Sequence, residues 1–202
     1  MEKIKSFGNK ISDSVLWSQL KAGDEESFSM LFERYYGSLV NYGKTLMPSE
    51  DIVKDCVQDV FVDIWKYSEK LNAAIVVKAY LFSCVRNRIA RFRERDHIFS
   101  HVKDVDSFDF MFDFSVEERL IADESMASKV EYLNQCINNL PDRQKEALYL
   151  RYHQGLTVEQ VAEVLDMNYQ STKNLLHRAI SRLRSDFPIS LVALLLTNPA
   201  NF

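Results

Sequence analysis

The stretch Leu156-Thr-Val-Glu-Gln-Val-Ala-Glu-Val-Leu-Asp-Met-Asn-Tyr-Gln-Ser-Thr-Lys-Asn-Leu-Leu-His-Arg-Ala-Ile-Ser-Arg-Leu183 decides how this chain folds. Thr157 is a helix N-cap residue, and Glu159 sits in the first turn of the helix that follows, where the helix dipole favours acids. Residues 165–168 predict a tight turn, and a second helix runs from Tyr169 to Arg184. Two short helices joined by about four residues have the spacing of a helix-turn-helix. Ala162 is small where the helices must cross. Asp166 takes the turn position often held by Gly, and Asp tolerates the left-handed conformation better than most residues.

Stepping the second helix at about 100° per residue separates it into two halves. Lys173, Asn174, His177, Arg178, Ser181 and Arg182 fall on one side; Leu175, Leu176, Ala179, Ile180 and Leu183 fall on the other. A basic, amide-bearing face opposite an apolar one suits a recognition helix in the major groove. Lys and Arg reach guanine acceptors, Asn reaches adenine, and the outer arginines hold phosphates. The plainer reading is a solvated face of an ordinary amphipathic helix. The turn before the helix favours the first reading.

Upstream, Leu140-Pro141-Asp142 is a helix start, since Pro is tolerated in the first turn. That helix ends at Gly155, a residue suited to the C′ position. Another helix precedes it, from about residue 127 to 138. The first part of the chain is also helical. Asp24 caps a helix over about 25–47, Pro48-Ser49 breaks it, and a second helix follows. There Ile52, Val53, Cys56, Val57, Val60, Phe61, Ile64 and Trp65 form one apolar stripe, which assigns Phe61 and Trp65 to the core. Lys54, Asp55, Gln58, Asp59, Asp63 and Lys66 lie opposite. A break at 71–77 leads to a helix through about residue 95, with Leu81, Cys84, Val85, Ile89 and Phe92 as its inner stripe.

Charge is segregated along the chain. The 202 residues carry 25 Lys+Arg and 29 Asp+Glu, a net of −4. An acidic balance read alone argues against nucleic acid. Yet residues 78–95 hold six bases and one acid, residues 103–128 hold eight acids and two bases, and residues 169–184 hold four bases and no acid. Two basic helices therefore flank an acidic middle. With 47% hydrophobic residues the chain can build packed cores, and with 5 Gly and 4 Pro it is unsuited to a turn-rich β fold. The aperiodic middle favours two domains over one.

Cys56, Cys84 and Cys136 are odd in number, lack CxxC spacing and sit among apolar neighbours, as buried free thiols of a reducing cytosol do. Residues 1–12 lack the apolar core of a signal peptide, and the apolar run 189–196 is too short to span a bilayer. These features predict a soluble cytoplasmic protein. His97 and His101 are spaced i, i+4, but no further ligand completes a metal set, so no metal or other cofactor is expected. No phosphate loop, GxSxG or HExxH signature occurs, and neither an enzyme activity nor a small-molecule substrate is expected.

Three stretches together resemble one family. They are Asp55-Cys-Val-Gln-Asp-Val-Phe-Val-Asp-Ile-Trp65, then Lys78-Ala-Tyr-Leu-Phe-Ser-Cys-Val-Arg-Asn87, then Leu140-Pro-Asp-Arg-Gln144 followed by the helix-turn-helix. In order and spacing, residues 16–184 resemble the extracytoplasmic-function (ECF) group of the sigma-70 family of RNA polymerase sigma factors. The resemblance implies an all-α fold of two small helical domains joined by a flexible acidic linker. The expected divisions are a region 2-like domain at 1–97, a linker at 98–126, a region 4-like domain at 127–187 and an apolar tail at 188–202. It implies a protein that docks on core RNA polymerase and directs promoter recognition, −10 melting and transcription initiation.

By the same resemblance, Asp55, Gln58, Asp59 and Asp63 face a coiled coil of the polymerase β′ subunit, and an acidic strip on a rigid helix suits a basic partner. The break at 71–77 corresponds to the loop that captures a flipped −10 base, with unstacking offset by pocket and phosphate contacts. Lys78, Arg86, Asn87 and Arg91 line the freed strand. Tyr80 is a candidate stacking partner and equally a candidate core aromatic. Ser171, Lys173, Asn174, His177 and Arg178 match the −35-contacting positions, and Arg182 shares their face. Leu175 departs from the pattern, since many members have Arg there. A cognate anti-sigma factor, often membrane-bound in the family, is a further implied partner.

The acidic middle, with its aromatic run at 106–114, reads as a solvated tether, as a segment threaded through polymerase, or as an internal inhibitor lying on the basic helices. The tail run 189–196 is expected to form a short helix packed on the second lobe, or to shield apolar surface there. Two other functions fit the residues less closely: a stand-alone helix-turn-helix regulator, and a helical adaptor for protein partners only.

Overall fold

The computed structural model describes residues 11–100, 110 and 124–184, with side chains described for 11–95, 110 and 131–184. The tail, most of the acidic middle, and the side chains of His97 and His101 lie outside the described residues. Among the described residues all regular structure is helical. Eight α-helices follow one another: α1 (Asp13–Lys21), α2 (Glu25–Leu46), α3 (Glu50–Lys66), α4 (Val77–Ser100), α5 (Glu124–Asn138), α6 (Asp142–Leu148), α7 (Val158–Val164) and α8 (Tyr169–Arg184). No helix among them is long and apolar enough to cross a membrane.

The first lobe comprises α1–α4. Asp24 accepts a hydrogen bond from the Ser27 amide at 2.8 Å and so starts α2, as expected; the Ser27 hydroxyl, and then its amide, hold the Asp24 carboxyl below its usual range. α2 packs on α1, α3 and α4, and α3 packs on α4. Gly43 permits that closeness, because a Cβ there would lie 2.5 Å from Val53 Cγ1 and 3.2 Å from Ile89 Cδ1. The α3 stripe faces inward as its period predicts: Val53, Cys56, Val57, Val60, Phe61 and Ile64 are buried. Trp65 is half-buried against Phe28, with ring centroids 5.1 Å apart.

The second lobe is built from α5–α8. α6 gives way at Tyr149 to a wider π-type turn over Tyr149–His153, where the sequence predicts one helix as far as Gly155. Gly155 itself has φ +68°, the left-handed conformation a helix-ending Gly supplies. α7 opens with a capping box, Thr157 and Gln160 bonding each other's backbone amides. Asp166 has φ +52°, the one positive φ of a non-glycine residue among those described. The Met167 amide donates to the Ala162 carbonyl at 2.9 Å across this turn, so the helix-turn-helix closes as its spacing predicts.

The lobes are packed against each other. α4 lies on α7, and the buried residues of both lobes form one continuous cluster. At the seam Tyr42 of α2 stacks on Tyr149 at 5.8 Å and 16°, and Phe110 of the acidic middle meets Tyr149 edge-on. Two-sided packing explains α4. Its predicted stripe is buried at Leu81, Val85 and Ile89 and partly buried at Cys84 and Phe92. Val77, Ala79 and Phe82 are buried as well.

Candidate nucleic-acid interface

α8 separates its residues cleanly. Leu176, Ala179 and Leu183 are buried, and Leu175 and Ile180 pack partly against the core. Lys173, Asn174, His177, Arg178 and Arg182 are exposed, and Ser171 is half-exposed at the helix start. Asn168 fixes that start: its Oδ1 accepts from the Ser171 amide at 2.8 Å. Gln170 donates to Asn174 Oδ1 at 3.1 Å, holding the Asn174 amide on the outer face. Exposed bases on a rigid, capped helix with no acid among its own residues make an electrostatic surface for a polyanion.

The first lobe carries a second basic surface where the 71–77 break meets α4. Trp17 donates its indole N–H to the Asn72 carbonyl at 3.0 Å, and Asn72 Oδ1 accepts from the Ala74 amide at 2.9 Å. The loop is thus pinned to α1. Below it lies a cavity of about 280 Å³ lined by Tyr67, Leu71, Tyr80, Asn87, Arg88 and Arg91 among others. That volume sits near the lower end of small-ligand pockets, about 300–1,000 Å³. Tyr80 fits both of its sequence readings: it is half-buried, edge-on to Trp17 at 5.5 Å, yet lines the cavity. Burial, with neighbouring Cys84, pushes the Tyr80 hydroxyl up to about 12, so it stays a neutral hydrogen-bonding group.

The structure brings Tyr80, Asn87 and Arg91 together but turns Lys78 and Arg86 elsewhere. Lys78 Nζ donates to the Gln154 carbonyl of the second lobe, and burial pushes its ammonium down. Arg86 pairs with Glu146 of α6, Nε to Oε1 at 2.9 Å, with Arg86 11% and Glu146 2% exposed. Burial alone disfavours the Arg86 charge; Glu146, helped by Tyr42 and Asp166, reverses the balance and raises it.

On α3, Asp55, Gln58, Asp59 and Asp63 are exposed along one strip. Arg88 of α4 reaches over to it, pairing with Asp63 and, at 3.4 Å, with Asp59. Exposed pairs of this kind add little stability. Their consequence is positional: Arg88 lines both the loop cavity and a second cavity of about 390 Å³ beside Asp55, Gln58 and Asp59. Sequence reasoning missed Arg88 and Tyr67 as cavity residues. An aromatic flanked by Lys66 and Lys70 just before the break was the available signal for Tyr67. The groups that meet across the seam, Tyr42 and Glu146, carry no local signal.

The three cysteines are free thiols, and no cluster of three or more metal-ligating side chains occurs among the described residues.

Comparison with known proteins places both lobes in one family. Residues 31–97 match the family described as sigma-70 region 2, and residues 131–183 match sigma-70, region 4. The chain is 23% identical over 190 residues to the ECF RNA polymerase sigma-E factor of Haemophilus influenzae, covering 86% of this chain and 94% of that one. It is 23% identical over 174 residues to the RNA polymerase sigma factor NccH of Alcaligenes xylosoxydans xylosoxydans, covering 85% and 92%. Its fold resembles CnrH in complex with the cytosolic domain of CnrY, with TM-score 0.57, 20% identity and coverage of 86% and 95%. It also resembles the sigma factor RpoE of Bartonella quintana bound to the anti-sigma factor NepR, with TM-score 0.55, 21% identity and coverage of 79% and 96%.

Proposed function

We propose how this chain divides promoter recognition between its lobes, from the premise that it belongs to the ECF group of the sigma-70 family of RNA polymerase sigma factors. As a sigma factor it initiates transcription by binding DNA with polymerase, and it is not an enzyme. Its partners are core RNA polymerase and promoter DNA. The lobes correspond to a region 2 domain at 1–97 and a region 4 domain at 127–187, joined through 98–126 and followed by a tail at 188–202. α5 begins at Glu124, slightly ahead of the second boundary.

In this reading α8 enters the major groove of the −35 element. Lys173, Asn174 and His177 reach base edges, and Ser171, Arg178 and Arg182 hold phosphates. The observation that carries the reading is the division of α8 into a buried apolar half and an exposed basic half, behind a turn that Asp166 closes. Arg at 175 would add a contact, but Leu175 packs against the core, so this chain makes its −35 contacts without it. The loop cavity receives a flipped −10 base against Tyr80, with Asn87 and Arg91, and later Lys78 and Arg86, along the strand. The acidic strip Asp55, Gln58, Asp59 and Asp63 docks on the β′ coiled coil. One structural relative is a sigma factor solved with its anti-sigma factor, and another, CnrH, was solved with the cytosolic domain of CnrY, which supports a cognate anti-sigma factor for this chain, held at a membrane or free in the cytoplasm.

Purified chain mixed with core polymerase and a promoter library tests the reading. Transcripts that depend on the chain are expected. Sequence-specific DNA binding with no dependent transcripts would favour a stand-alone regulator and overturn it. Asp59→Lys should remove polymerase binding with little change in stability, since Asp59 is exposed.

A further inference from the structure

We propose that Arg86 and Tyr42 form an anion seat on the first lobe, which Glu146 of the second lobe fills in the free chain and a phosphate of the −10 single strand fills in the open one. The proposal rests on the reading of α4 as the strand-binding helix.

Glu146 is placed as a ligand would be. Its Oε1 accepts from the Tyr42 hydroxyl at 2.7 Å and from Arg86 Nε at 2.9 Å, while Oε2 accepts from Arg86 Nη2 at 3.4 Å. This side-on, two-point grip is the geometry a guanidinium offers to carboxylate and phosphate alike. Tyr149 stacks on Tyr42, and Phe110 closes over Tyr149, so the pair sits behind an apolar collar. A carboxylate this deeply buried is tolerated only while its partners hold it. Lys78, two turns up α4, is engaged in the same way by the Gln154 carbonyl.

The seat lies on the helix assigned to the −10 strand and not on the helix assigned to −35. Closure therefore hides Arg86 and Lys78 and leaves the outer face of α8 exposed. A single strand and the second lobe compete for the same donors, so each weakens the other by the same factor. The inhibitory acid is a single residue of the second lobe.

The test uses the full chain and a fluorescent single-stranded DNA of about a dozen mixed nucleotides, a length suited to a basic strand-binding groove. Small-angle scattering reads lobe separation, and anisotropy reads DNA affinity. Glu146→Ala should separate the lobes and tighten DNA binding by about tenfold or more, since one broken buried pair shifts a closed equilibrium that far. Glu146→Ala combined with Arg86→Ala should lose the gain, with its lobes together or apart. Lobes that stay closed in Glu146→Ala, or that open without tighter binding, would overturn the proposal. Should the variants fail to fold, the unaltered chain still decides it. Saturating oligonucleotide must separate its lobes, and a chain that binds DNA while closed contradicts the shared seat. Polymerase-dependent transcription by the unaltered chain is read in parallel. If it persists while the seat fails, the sigma-factor reading stands; its absence would sink that reading instead.

Discussion

α4 and α8 are both basic helices, and they differ in how they are buried. α8 has one apolar face and one basic face, the first inside and the second in solvent. α4 is packed on α2 and α3 from one side and on α7 from the other, so its basic residues are divided among a cavity, a surface strip and a lobe seam. One-sided burial leaves the basic face of α8 displayed whichever way the lobes sit. Two-sided burial makes exposure of the same residue types depend on how the lobes sit. Basic charge on a helix is therefore a signal for nucleic acid in both, and only burial separates the constitutive surface from the conditional one.

Substitutions can break or sharpen this contrast. The largest effect is expected at Phe82, fully buried on α4 and 5.0 Å from the Tyr42 ring. Phe82→Ala should cost about 3–5 kcal/mol in urea unfolding. His177→Ala on the outer face of α8 should stay within about 0.5 kcal/mol. A similar cost at both positions would erase the distinction. Next is Gly43→Ala, whose new methyl must displace Val53 and press on Ile89 of α4; about 1–3 kcal/mol of destabilisation is expected from the same measurement. Arg178→Ala should leave stability unchanged and weaken duplex binding uniformly across sequences, with the salt slope shallower by about 1.

The smallest expected effect is a pH dependence at the seam. Burial, and then the nearby Lys78 ammonium, hold the His153 imidazole below its usual range, with the Tyr149 ring 4.8 Å away on its own turn. A group with a lowered pKa in the closed state favours closure above its ordinary value of about 6.5 and disfavours it as pH falls below. Scattering at pH 5.5 should therefore show more open chain than at pH 8, and His153→Asn should flatten the difference.

Much of this was legible in the sequence, for identifiable reasons. The α8 wheel placed Leu176, Ala179 and Leu183 inside and Lys173, Asn174, His177 and Arg178 outside, because a helix buried on one side writes its period directly. It missed Thr172, which is polar yet fully buried, since its hydroxyl bonds the Asn168 carbonyl at 3.1 Å within the same turn. Asp166 was readable because few residues other than Gly accept its backbone angles. On α4 the period found one stripe and missed Phe82, because a second partner helix buries a second face. The seam was not legible. Arg86 and Glu146 lie 60 residues apart, and Tyr42 and Glu146 lie 104 apart, so no local spacing couples them. Net charge pointed away from DNA, and only its segregation along the chain pointed back.

The division of labour between the two helices is tested most directly by mapping start sites across a promoter library with core polymerase and three forms of the chain. The unaltered chain should select two blocks of conserved sequence, one near −35 and one near −10. Asn174→Ala should relax the upstream block alone, and Asn87→Ala with Arg91→Ala should relax the downstream block alone. Variants that relax the opposite block, or both blocks equally, would contradict the assignment of α8 to −35 and α4 to −10.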